Sequence, residues 1–173
     1  DASTAATAGD GTDDTVVLAF VVAASADDCT PTWGGYHTLG EASDVLDLDR
    51  RIDGMRRDGA HVAVSFGGAL NTELALACTY TEELVAAYSS VIERYGVSTI
   101  DLDLEGRGLS DAVAGERRAG AMARLQRARE AAGGELDVWV TLPTGLDGLT
   151  ADGLAAVRRL LELCDNIVLS SSA

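Results

Sequence analysis

Residues 100–105 read Ile100-Asp101-Leu102-Asp103-Leu104-Glu105. Side chains alternate faces along a strand, so Asp101, Asp103 and Glu105 share one face and Ile100, Leu102 and Leu104 the other. Successive acids on such a face stand roughly 7 Å apart. Three carboxylates stacked this closely in a low-dielectric site are costly to ionise together. The cheaper state shares protons along the row, raises at least one pKa and keeps an acid protonated near neutral pH, which is what a general acid needs. The row is expected to titrate as a coupled unit. In a chain with 28 acidic residues the Asp-x-Asp-x-Glu string is a weak signal alone. Two other readings stand beside it: an edge strand with a solvated acidic face, and a divalent-metal site using the three acids as oxygen ligands.

Other residues could serve the same site. Ser65 is placed to hydrogen-bond near the acidic row, with a structural role equally open. Gly67 and Gly68 suit a tight turn and a close backbone approach. They form no phosphate loop, since the chain has no Gly-x-x-x-x-Gly-Lys pattern. Trp33 reads as a stacking platform or as a loop anchor. Trp139 suits a core position as well as a ligand contact, and Thr141 follows on its face. Tyr36 and His37 fall in a loop that reads as solvated. The three cysteines, Cys29, Cys78 and Cys164, match no zinc spacing. An intracellular chain would keep them as thiols, whereas a secreted one could pair two.

The elements that would position these groups alternate in type. Thr15–Ala24 is a continuous apolar run, suited to a strand buried on both faces. A loop is expected through Gly40, then a helix over Ser43–Arg57 closed by Asp58-Gly59. His61–Phe66 reads as a strand. Thr79–Tyr95 reads as a helix, with Thr79 and Glu82 as a capping box and Gly96 as its stop. Val97–Leu104 is the next strand, Ser110–Ala132 a helix, and Leu136–Leu142 a strand closed by Pro143. Thr150 opens a helix to about Leu163, and Asn166–Leu169 begins another strand. Residues 1–14 read as a flexible lead or linker, and 15–173 as one domain. About five strands and four helices in strict alternation imply an α/β fold with a parallel sheet and right-handed crossovers. A doubly wound open sheet and an eight-stranded barrel both use this pattern, and the barrel normally takes about 250 residues.

Bulk properties narrow the function. The chain has 173 residues, 47% of them hydrophobic, and a formal charge of −15, with all 13 basic residues being arginine. That acidity argues against nucleic acid, which needs a basic face to release counterions. It suits a neutral polymer. No apolar run reaches the roughly 18 residues of a membrane span. The first residue is Asp1 and not Met, so a further segment upstream is expected.

Four segments, in order, resemble the bacterial chitinases of glycoside hydrolase family 18. Val62-Ala63-Val64-Ser65-Phe66-Gly67-Gly68 is similar to that family's Ser-x-Gly-Gly strand, and Asp101-Leu102-Asp103-Leu104-Glu105 to its catalytic signature. Trp139-Val140-Thr141-Leu142-Pro143 resembles the strand that follows. Leu18-Ala19-Phe20-Val21 with the Cys29–Gly35 loop resembles an earlier strand and its loop. The resemblance implies partial TIM-barrel (β/α) architecture, a secreted, extracellular location, no cofactor and no metal. It also implies hydrolysis of β-1,4-linked N-acetylglucosamine polymers such as chitin by a substrate-assisted, retaining route. Glu105 would protonate the glycosidic oxygen. The substrate's own 2-acetamido carbonyl would attack the anomeric carbon, Asp103 would orient that acetamido group, and Asp101 would share a proton with Asp103. Trp33, Ser65, Gly67, Gly68, Trp139 and Thr141 would contact substrate or shape its site. In such a barrel Cys29 and Cys78 follow neighbouring strands, and a disulfide between them is expected.

Departures from the family pattern carry their own expectations. Ser98-Thr99 stand where the family motif usually opens with Asp-Gly. The last strand reads Ile167-Val168-Leu169-Ser170-Ser171-Ser172 in place of a Met-x-Met-Asp-Tyr run. No later strands with a closing Trp follow, and the lead before Thr15 does not read as a first strand. The chain is therefore expected to hold part of a barrel, to have weak or no activity alone, and to self-associate through open sheet edges. A non-catalytic, lectin-like chitin binder is the competing reading.

Overall fold

The computed structural model describes residues 14–172. The expected lead, residues 1–14, lies outside them except for Asp14. In chain order the elements are β1 (Thr15–Ser25), β2 (Asp28–Trp33), β3 (His37–Thr38), α1 (Leu39–Leu46), α2 (Leu48–Arg57), β4 (His61–Gly67), α3 (Leu74–Ala77) and α4 (Thr81–Tyr95). Then come β5 (Thr99–Asp103), α5 (Gly106–Ser110), α6 (Ala112–Ala131), β6 (Asp137–Gly145), β7 (Gly148–Leu149), α7 (Ala151–Leu163) and β8 (Ile167–Ser172).

Five strands pair in parallel in the order β1-β4-β5-β6-β8, with helices in each of the four connections. The order follows the chain without reversal. A doubly wound sheet reverses at a switch point; this sheet has none, so a constant crossover hand keeps the helices on one side. That is the winding of a TIM barrel, and the five strands form an arc of one. The helix-facing residues of β4 to β6 are Val62, Val64, Phe66, Ile100, Leu102, Val138 and Val140, all buried against Leu84, Tyr88, Met122, Leu125 and Leu160 among others. Each fully buried side chain of this kind contributes about 1.5–3 kcal/mol, so this face holds the arc together. The opposite face carries the polar residues.

Several local expectations are corrected. The loop expected up to Gly40 is instead a hairpin: β2 pairs antiparallel with the end of β1, and β3 with β2. The single helix expected over Ser43–Arg57 is two helices, α1 and α2, broken at Asp47 in the left-handed region (φ 53°), which Asp tolerates better than most residues. The helix expected from Ser110 forms as α6 but starts at Ala112, because Asp111 caps it by accepting from Ala114 N at 2.9 Å, and Ser110 instead ends the short α5. The Thr79/Glu82 box does not form. Glu83 accepts from Tyr80 N at 3.3 Å, while Glu82 pairs with Arg124 at 2.7 Å. Pro143 does not close β6, which runs on to Gly145; the β5–β6 ladder has already ended at Asp103–Thr141, so β5 offers no partner for the missing N–H. Among the described residues no helix is long and apolar enough to cross a membrane.

Candidate active site

Strand register builds the site in two tiers on the polar face. Ser65, Asp101, Trp139 and Val168 align across β4, β5, β6 and β8; one step toward the strand ends, Gly67, Asp103, Thr141 and Ser170 align. β5 lies between β4 and β6 and all five of its residues are buried, so the solvated edge-strand reading is wrong.

Asp101 is 7% exposed. Its Oδ2 accepts from Ser65 Oγ at 2.5 Å and its Oδ1 from Thr141 Oγ1 at 2.8 Å. Burial pushes its pKa up, and the two hydroxyl donors oppose that. Asp103 is equally buried, but its tier offers little. Gly67 has no side chain, and the Thr141 hydroxyl points back to Asp101. Asp103 Oδ1 is left buried without a hydrogen-bond partner. Burial above all, then the charges of Glu105 and Asp101, raise the Asp103 pKa to about 7. Glu105 stands two residues past the strand with extended backbone (φ −129°, ψ 160°), half-buried. It precedes α5 without capping it by a side-chain bond, so its carboxyl remains available. Asp103 and Glu105 line one open cleft of about 740 Å³, whose walls include Gly68, Asn71 and Glu73.

The glycine pair explains how Asp103 is held. Gly67 has φ +105°, and a Cβ there would lie 2.2 Å from the Asp103 carbonyl oxygen. Gly68 N donates to that same oxygen at 3.0 Å. Only a glycine at position 67 allows β4 to approach the end of β5 this closely.

Not every residue singled out in the sequence comes to the cleft. Trp33 is 8% exposed. Its Nε1 donates to Tyr95 Oη at 2.8 Å, and the rings meet edge to face at 5.7 Å. Trp33 anchors the hairpin to α4 and offers no open face for stacking, which corrects the ligand-contact reading. Trp139 is half-buried beside Asp101 in the lower tier and does not line the cleft. Tyr36 is 85% exposed at the hairpin tip. Cys29 lies within β2, not in a loop, and is disulfide-bonded to Cys78, with their Cα atoms 4.7 Å apart. Cys164 is a buried free thiol whose pKa is pushed up to about 11, chiefly by burial. Among the described residues no group of three or more His, Cys, Asp or Glu side chains is gathered to hold a metal ion. Both Asp101 oxygens accept from hydroxyl donors, and Asp101 does not join Asp103 and Glu105 in lining the cleft.

Two residues at the site escaped the sequence reading. Glu73 and Arg118 form a buried ion pair at 2.8 Å beneath the cleft. A signal was present: Arg118 falls four residues from both Ala114 and Met122, on the buried stripe of α6. An arginine there needs a partner.

No family model matches the chain. It is 32% identical over 137 residues to a probable bifunctional chitinase/lysozyme of Escherichia coli (strain K12), covering 79% of this chain and 15% of that protein. Against endochitinase 11 of Metarhizium anisopliae the identity is 30% over 137 residues, covering 79% and 25%. Among solved structures, active domain 2 of the Pyrococcus furiosus chitinase superposes with a TM-score of 0.72 at 23% identity, covering 90% of this chain and 47% of that one. Catalytic-site mutants of that domain have also been solved with chito-oligosaccharides (TM-score 0.70, 24% identity, covering 86% and 44%). The chain thus spans about half of the solved domain and a quarter or less of the curated relatives. On the strength of these relatives and the shared fold, the chain belongs to the chitinase-like glycoside hydrolases of family 18.

Proposed function

We propose that the cleft at the ends of β4 and β5 cleaves β-1,4-linked N-acetylglucosamine polymers with retention, using the substrate's acetamido group as the nucleophile. Glu105 protonates the glycosidic oxygen. The acetamido carbonyl attacks the anomeric carbon and gives an oxazolinium ion, which water opens. Asp103 accepts from the acetamido N–H and passes its own proton toward Asp101. Ser65 and Thr141 hold Asp101 in place, and Gly67 and Gly68 fix the Asp103 backbone. The observation that carries this reading is the unpartnered Asp103 oxygen, in a carboxyl raised to about 7, on the wall that Glu105 shares. It supplies an acceptor that a ligand or a neighbouring acid can satisfy. A secreted, extracellular location belongs to the same proposal and draws support from the Cys29–Cys78 disulfide. So does self-association through the outer edge of β8, where Val168 and Leu169 are exposed.

A second reading, a sugar-binding protein without turnover, has one observation in its favour. The β8 residue aligned with Thr141 and Asp103 is Ser170, so this strand adds no acid to the upper tier. Hydrolysis of a chromogenic chito-oligosaccharide by the chain and its Glu105→Gln variant separates the two. The hydrolase reading expects a loss of about 10²–10⁴-fold, the usual contribution of a general acid. Equal background rates with chitin binding retained overturn it in favour of the binding protein.

A further inference from the structure

We propose that the buried Glu73–Arg118 pair is a positioning device that sets where Glu105 stands relative to Asp103; the inference rests on the acid roles proposed above. Glu73 is 3% exposed and Arg118 2%. Arg118 grips Glu73 with two nitrogens, Nη2 to Oε2 at 2.8 Å and Nε to Oε1 at 3.3 Å. The same Nη2 donates to the Gly108 carbonyl at 2.7 Å. Gly108 belongs to the turn that starts at Glu105, closed by Leu109 N donating to Glu105 O at 3.2 Å. Arg118 therefore ties down the backbone that carries the acid.

Glu73 does the corresponding work on the other side. A Cβ on Gly108 would sit 3.4 Å from Glu73 Cβ, and a Cβ on Gly67 would sit 3.6 Å from Glu73 Cγ. The Glu73 stem is thus wedged between the turn of Glu105 and the glycine that abuts Asp103. Its carboxylate is held at that depth by Ala75 N at 2.9 Å and by Tyr88 Oη at 2.9 Å. One ion pair thus reaches the turn that carries Glu105 and the glycine that abuts the Asp103 carbonyl. Stability alone does not call for charge here, because buried ion pairs are often matched by apolar replacements. A planar fork that also reaches a third acceptor gives fixed geometry, and a lysine, a point charge on a flexible stem, does not reproduce it.

Arg118→Lys is the test, with the isosteric Glu73→Gln as a second variant should the first not fold. Ile52→Ala, in the core behind α2, serves as a control that lowers stability away from the site. In the chromogenic assay the proposal expects kcat per folded molecule to fall about tenfold to a hundredfold with KM little changed, the effect of a misplaced acid. It also expects the pH profile to move, which Ile52→Ala does not cause. A readout independent of turnover is carbon-13 NMR titration of the Asp103 carboxyl in the ligand-free protein, which responds to where the Glu105 charge stands. A shift of about half a pH unit or more in that curve is expected. Unchanged titrations, or a kcat loss no larger than that of equally destabilised Ile52→Ala, overturn the positioning role. If the parent chain hydrolyses nothing while Arg118→Lys still moves the Asp103 curve, the positioning stands and the acid assignment falls.

Discussion

Glu73 and Asp103 sit on the same cleft wall, both more than nine-tenths buried, yet the fold treats them in opposite ways. Glu73 receives a guanidinium fork, a phenol and a backbone N–H. Asp103 has no partner for Oδ1, no cation, and two other carboxylates for company. The first carboxylate is fully partnered and fixes neighbouring backbone. The second is pushed up to about 7 and has spare hydrogen-bonding capacity. Burial alone therefore does not mark a reactive acid; burial without a counter-charge does.

The comparison can be broken most severely from the paired side. Glu73→Leu leaves the Arg118 charge buried and unpaired, at a cost of about 3–5 kcal/mol. In a chain of this size that is a fall in melting temperature of about 10 °C or more, read by calorimetry. Survival of the melting temperature would mean that Arg118 finds water, and that the pair is less enclosed than its burial indicates.

The unpaired side predicts the reverse sign. Asp103 titrates at about 7 in the folded protein against an ordinary 3.8. Between those values the native state holds a proton that the unfolded chain has released, so stability falls as pH rises from about 4 to 7 and stays lower above 7. Asp103→Asn removes this slope. It is expected to stabilise the protein at pH 8 by on the order of 2 kcal/mol, allowing for partial screening, with little gain at pH 4. Urea denaturation at both pH values measures it. A variant no more stable than the parent at pH 8 would show that Asp103 is not raised.

Thr141→Val gives the smallest effect. It removes the 2.8 Å donor to Asp101 and is expected to cost about 1 kcal/mol. The Asp101 titration should move upward, because a bond favouring the charged form is lost. A carbon-13 titration that leaves Asp101 in place would assign its restraint to Ser65 alone.

Much of this was legible in the chain itself. The apolar run within Thr15–Ala24 announced a buried strand, His61–Phe66 and Leu136–Leu142 read as further strands, and alternation in residues 100–105 put three acids on one side. The hairpin was not legible, because Asp28-Cys29-Thr30-Pro31-Thr32-Trp33 lacks an apolar rhythm and is ordered by pairing with β1. Trp33 looked like a loop aromatic because its partner, Tyr95, lies 62 residues away. Glu73 hid in a polar loop for the same reason, 45 residues from Arg118.

Local pattern determined which residues could be strand, helix or turn, and which side of β5 would be acidic, since those properties repeat over two to four positions. Only the tertiary structure decided which buried carboxylate acquires a cation and which is left without one. That choice depends on what arrives from β4, α4 and α6, and solvation and Coulomb energies respond to those neighbours in space, not to neighbours along the chain.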